Sequence, residues 1–116
     1  MSRHAALLDY AAEGVLDAER AELCAAIVET GHHDGRFAFT AAHFHTPDEL
    51  REEVGAGGFD AVEVFGVQGP MWTVLDAHGM DRFEELLPAA LLCARAVEQD
   101  PAVMAASSHL LAVARR

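Results

Sequence analysis

Two segments of this chain, Phe59 to Val67 and Leu110 to Ala114, are apolar on both faces of the β-strands they predict. Side chains alternate along a strand, so Phe59, Ala61, Phe65 and Val67 line one face of the first and Val62 and Val64 the other, with Asp60 and Gly66 at the margins. In the second, Leu111 and Val113 oppose Leu110, Ala112 and Ala114. Such strands belong inside a sheet covered on both sides by helices. Only two are present, and a two-stranded sheet is marginal by itself and leaves unpaired edges. The pattern therefore predicts part of a larger α/β domain, against the alternative of a small α+β domain whose own helices cover a short hairpin.

The 116 residues suffice for one domain, and 52% hydrophobic residues with only 4 prolines argue for a real core. No apolar run nears the roughly 20 residues of a membrane span, and Met1 to Tyr10 lacks the apolar stretch of a signal peptide, so no membrane partner is expected and the expected compartment is the cytoplasm. Cys24 and Cys93 fall in separate helical patterns without CxxC spacing and read as reduced core thiols. The net charge of −11 comes from 19 acidic residues against 8 basic ones, all arginine, which argues against nucleic acid as a partner.

Ser2 predicts the cap of a helix ending at Gly14, with Leu7, Leu8 and Ala11 on one face. Asp17 predicts the cap of a second, with Leu23, Ile27 and Val28 inward and Gly31 as its stop. Thr30 to Gly35 is expected to be a polar loop and the hinge, followed by an extended Phe37 to Phe44. Thr46-Pro47-Asp48-Glu49 is the sharpest local signal: a capping hydroxyl, proline at the first helical position, and a carboxylate placed to close a capping box. That helix is expected to reach about Val54 and to end in Gly55-Ala56-Gly57-Gly58. A phosphate-binding turn follows a strand and opens a helix, whereas this cluster closes a helix and opens a strand, so it reads as a helix stop. Beyond the Gly69-Pro70 turn, Met71-Trp72 is expected to be irregular, and Phe83, Leu86, Leu87, Leu91, Ala94 and Val97 recur at helical spacing, with Pro88 as a kink or restart.

The runs Ala42-His43-Phe44-His45-Thr46-Pro47-Asp48-Glu49-Leu50, Gly57-Gly58-Phe59-Asp60-Ala61-Val62-Glu63-Val64, Val67-Gln68-Gly69-Pro70 and Ser107-Ser108-His109-Leu110-Leu111-Ala112-Val113-Ala114-Arg115 resemble the C-terminal part of a bacterial class I S-adenosylmethionine-dependent methyltransferase. The Ser2-Arg3-His4-Ala5 opening and the two helices after it resemble the substrate-side insertion that follows the fifth strand in that family. The resemblance implies a partial α/β fold, the C-terminal portion of a seven-stranded, doubly wound Rossmann-like sheet whose last two strands are an antiparallel pair. Residues 1–35 would form the helical insertion and 36–116 the end of the α/β domain. The family holds S-adenosylmethionine with a glycine-rich turn after strand one and an acidic residue ending strand two. Neither element is in this sequence, so no cofactor-binding residue carries over, and the portion is expected to be inactive alone. A small-molecule methyl acceptor is implied, with a second copy or a complementing chain at the open sheet edge.

Methyl transfer is an in-line displacement at a sulfonium carbon, for which a protein aligns the acceptor, excludes water and sometimes removes a proton. His43 and His45, two apart on an extended segment, point to one side, and an imidazole suits a general base. The alternatives are that one packs under the Thr46 cap and the other is solvated, or that the two join His32 or His33 around a metal. By resemblance Arg3 faces cofactor or acceptor; otherwise it is a surface arginine. Trp72, the sole tryptophan, and Tyr10 are candidates to line an acceptor pocket, against ordinary core or boundary packing. Three functions stay open: a methyltransferase portion, a dimerising or regulatory remnant without enzymatic activity, and a small ligand-binding α+β domain.

Overall fold

Asp17 and Thr46 start their helices as their side chains dictate. In the computed structural model, which describes residues 1–37 and 39–116, the Asp17 carboxylate accepts the Arg20 amide at 2.9 Å and opens α2 (Ala18–Thr30), which follows α1 (Ala5–Ala12). Gly31 ends α2 at φ +78°, its amide donating to the Ile27 carbonyl at 2.7 Å. Both halves of the capping box are formed at α3 (Pro47–Ala56): the Thr46 hydroxyl accepts the Glu49 amide at 3.2 Å, and the Glu49 carboxylate accepts the Thr46 amide at 2.8 Å. This helix runs past the expected Val54 to Ala56, and Gly58 at φ +85° releases the chain.

The two apolar segments pair as β3 (Asp60–Gly66) and β4 (Leu110–Arg115), antiparallel, with Val64 opposite Ala112 and Phe65 opposite Leu111. The register shifts between Asp60 and Glu63, where Ala61 takes φ +50°, so the pair carries a bulge near its open end. One face is covered: Val64 is 2% exposed, and α3 packs against both strands. On the other face Leu111 and Val113 remain 52% and 48% exposed.

Between these strands the chain forms α4 (Trp72–His78), a 3₁₀ turn at Gly79–Arg82, α5 (Phe83–Val97) and a second 3₁₀ turn at Met104–Ala106. Met71-Trp72 is thus not irregular but opens α4, which has no side-chain cap to signal it. α5 continues through Pro88; both Pro88 and Glu84, whose carbonyl loses its helical donor there, are on the solvent side.

Three further expectations are corrected. The Thr30 to Gly35 stretch is not a hinge loop: His32–Asp34 forms β1, antiparallel to β2 (Ala41–His43), with His33 opposite Ala42. Polar residues pair here because His33 turns into the core, 1% exposed, against Phe39 and Phe44. Within Phe37 to Phe44 only β2 is strand, Phe37 sits at φ +56°, and Ala38 lies outside the described residues. Ser2 does not cap α1. Its hydroxyl is buried and donates to the carbonyls of Ser107 at 2.6 Å and Ala105 at 3.1 Å, while His4 precedes the helix without a side-chain cap bond.

The fold is α/β, with two small antiparallel sheets. Its core gathers Ala6, Leu23, Cys24, Ile27 and Phe44, with Leu7, Tyr10, Phe37 and Ala42 against them. The β1–β2 hairpin straddles residue 35, and Met1 to Arg3 runs beside His45, whose amide donates to Met1 at 3.0 Å, so the N-terminal helices are tied to the rest. Cys24 and Cys93 are free thiols. Among the described residues no helix is long and apolar enough to cross a membrane.

Candidate functional site

The residues singled out in the sequence fall into two places. His43 ends β2 and His45 follows two positions on, so their rings share a side, with centroids 4.7 Å apart and planes crossing at 78°. His45 Nε2 lies 2.7 Å from Glu53 Oε2. Glu49 is the hub of this cluster. The Thr46 amide and hydroxyl hold its carboxyl below the usual range, and the nearby Arg3 and His43 charges add to the effect. Arg3 is engaged at one end of α2 through both terminal nitrogens: Nη1 donates to the carbonyls of Val28 at 3.1 Å and Glu29 at 2.9 Å, and Nη2 pairs with Glu49, while its Nε is buried without a partner. A guanidinium so placed satisfies carbonyls that the helix end leaves orphaned.

Tyr10 and Trp72 lie elsewhere. Both line a small cavity of about 90 Å³ with Asp9, His33, Phe44 and Ser108. Trp72 is also a wall of a wider groove of about 650 Å³ between α4 and α5, built from Leu75, Met80, Phe83, Leu87 and Leu91. The indole N–H donates to the Ala106 carbonyl at 2.8 Å, which fixes the ring's edge and leaves its surface to the groove. Phe44, between the two histidines in sequence, turns into the small cavity, so strand alternation sends His43 and His45 the other way. Neither histidine lines the cavity or the groove. The aromatic pair and the histidine pair therefore do not face one ligand within this chain.

Residues that the sequence left unmarked complete the groove. Asp9, Glu13 and Asp76 bring carboxylate oxygens within 4.8 Å of one another, and Asp9 and Asp76 line the groove itself. Burial first, then the charges of Glu13 and Asp76, push the Asp9 carboxyl up. Asp9 and Glu13, one helical turn apart, were visible as a same-face pair; Asp76 joins them only through the packing of α4 on α1. His33, weighed in the sequence only as a metal partner of His43 and His45, instead turns into the core: its Nδ1 accepts the Gly35 amide at 3.0 Å, and burial pushes its pKa down.

Among the described residues, the fit of S-adenosylmethionine can be tested at the one strand-to-helix turn bearing spaced glycines, Gly66 to Gly69 between β3 and α4. Both glycines are filled by protein. A Cβ at Gly66 would lie 2.5 Å from Ser107 Oγ, and one at Gly69 would lie 2.7 Å from Ala94 Cα. The Gly69 amide, which a cofactor would need, donates to Ser107 Oγ at 2.9 Å. This turn does not fit the cofactor.

No protein-family profile, curated protein or solved structure matches the chain.

Proposed function

We propose that this chain is the acceptor-side, C-terminal part of a class I S-adenosylmethionine-dependent methyltransferase, completed by a cofactor-binding half that supplies further strands. The half-covered sheet carries the reading. Phe65, Leu111 and Val113 share the bare face of β3–β4, and Val67 and Leu91 continue that patch. Natural sheets seldom leave such a surface in water.

The overall dimensions agree. The radius of gyration is 15.0 Å, against about 13 Å for a closed domain of this length. The accessible surface is 7078 Å², against about 6,200 Å² for this mass. The surplus of roughly 900 Å² is about one partner's share of a standard protein interface. In the completed enzyme the groove beside Trp72 would form a wall of the acceptor site, and the chain's part in transfer would be to orient the acceptor and exclude water. S-adenosylmethionine would supply the methyl group from the other half.

The test is to read the DNA upstream of Met1, express the longer polypeptide and titrate it with S-adenosylmethionine by calorimetry. The reading expects a strand followed by a GxGxG turn, saturable binding by the longer polypeptide and none by the present chain. An upstream sequence without that turn, or a longer polypeptide that ignores the cofactor, sinks it. The groove favours a second reading, a small ligand-binding α+β domain, which saturable binding of a small molecule by a stable monomer would support.

A further inference from the structure

The groove between α4 and α5 joins an apolar floor to an acidic rim. Leu75, Phe83, Leu87 and Leu91 give the floor, Asp9 and Asp76 the rim, and Trp72 stands with them in the wall. We propose that this groove binds an organic cation with an apolar body, its hydrocarbon or aromatic part along the floor and its ammonium nitrogen against Asp9 and Asp76 beside Trp72. The inference goes beyond methyl transfer and holds for the chain by itself; under the methyltransferase reading it names amine-bearing compounds as the acceptor class, the ammonium being the group recognised.

Size is the first support: about 650 Å³ lies within the range of small-molecule sites. Charge is the second. Among the described residues none of Asp9, Glu13 and Asp76 is paired with an arginine or histidine, although arginines pair with acids throughout the rest of the chain. Three crowded carboxylates repel one another; at Asp9 burial first, and then the charges of Glu13 and Asp76, disfavour the ionised carboxyl. A cation at the rim relieves it, whereas an anion is repelled. Trp72 is the third: its N–H is committed to Ala106, so what it offers a ligand is its ring, which attracts cations over its face. A bare metal ion would gain nothing from the apolar floor, whereas an amphiphilic cation uses both parts.

Trp72 is the sole tryptophan, so its fluorescence reads the groove directly. The purified chain is titrated with three probes sharing one ring: phenethylammonium, 2-phenylethanol and 3-phenylpropionate. The expected result is saturable quenching by the ammonium, about tenfold tighter than by the alcohol, with no saturation by the carboxylate. The preference should shrink at high salt. The double variant Asp9→Asn, Asp76→Asn should lose it while keeping the alcohol's affinity. Equal affinity for ammonium and alcohol, quenching that never saturates, or a preference indifferent to both salt and the double variant overturns the proposal. So does displacement of the ammonium by magnesium chloride beyond that caused by sodium chloride of equal ionic strength, which would make the rim a metal site.

Discussion

The Ser2 hydroxyl donates a 2.6 Å hydrogen bond to the carbonyl oxygen of Ser107, 105 positions along the chain. The Ser2 amide also reaches the Ser108 carbonyl at 2.9 Å, so the first residues are clasped to the start of β4. Replacing Ser2 by alanine strips a buried donor from two carbonyls, those of Ser107 and Ala105, and should cost about 1–3 kcal/mol. Urea unfolding followed by Trp72 fluorescence measures it. A loss near zero would mean that the clasp adds nothing to stability.

Gly31 and Gly14 both take positive φ, +78° and +71°, but their surroundings differ. A Cβ on Gly31 would lie 2.5 Å from His43 Cε1 and 2.6 Å from the Phe44 carbonyl, whereas nothing lies within 4 Å of one on Gly14. Gly14→Ala should cost about 1 kcal/mol, the left-handed backbone penalty alone. Gly31→Ala should cost at least about 2 kcal/mol, because the Phe44 backbone as well as the His43 ring must also move. The same variant should shift the imidazole NMR resonances of His43 and His45 together, since those rings touch.

Burial holds the His33 pKa below its ordinary value, aided by Arg36 and His32 and opposed by Asp34. The folded chain therefore binds fewer protons at His33 than the unfolded chain, whose histidine titrates near about 6.5. The stability this contributes is present above that pH and is lost as pH falls through the folded value. The depressed carboxyls of Asp17, Asp34 and Glu49 act at lower pH, and Asp9, raised, acts in the opposite sense. The urea midpoint should drop from about pH 7 to about pH 5 in the native chain and drop less in His33→Gln. Equal slopes would assign the effect to other groups.

Leu111 is half exposed on the bare sheet face, opposite Phe65. Leu111→Glu should change the chain's own stability by no more than about 0.5 kcal/mol, as surface substitutions do. It should, however, suppress any concentration-dependent association seen by sedimentation, because a carboxylate cannot enter an apolar interface unpaired. A marked fall in melting temperature would show that Leu111 already packs within the chain.

What could be read from the sequence was whatever local chemistry sets. The Thr46 hydroxyl and Glu49 carboxylate fix α3 within four residues, and the run from Phe59 to Val67 can hardly be anything but a strand. β1 was hidden because His32-His33-Asp34 has turn-like composition and becomes a strand only by pairing with Ala41 to His43. α4 was hidden because Met71 offers no cap and its stability comes from lying on α1 and α5. The same division holds at the site. Trp72 and Tyr10 were identifiable as lone aromatics, but the meeting of Asp9 with Asp76 is tertiary. That the histidines face away from both aromatics follows from Phe44 claiming the inward position between them.

The clasp has a mechanical consequence. Ser2 is bonded at Ser107 and Ser108, and from there β4 runs already extended to the last residues. Tension applied between the two ends would pass through the clasp straight into β4, bypassing the helices and the β1–β2 hairpin. The clasp, the β3–β4 ladder and the bonds that tie Met1 and Arg3 to His45 therefore take the first load, and the helices bear it only once these part.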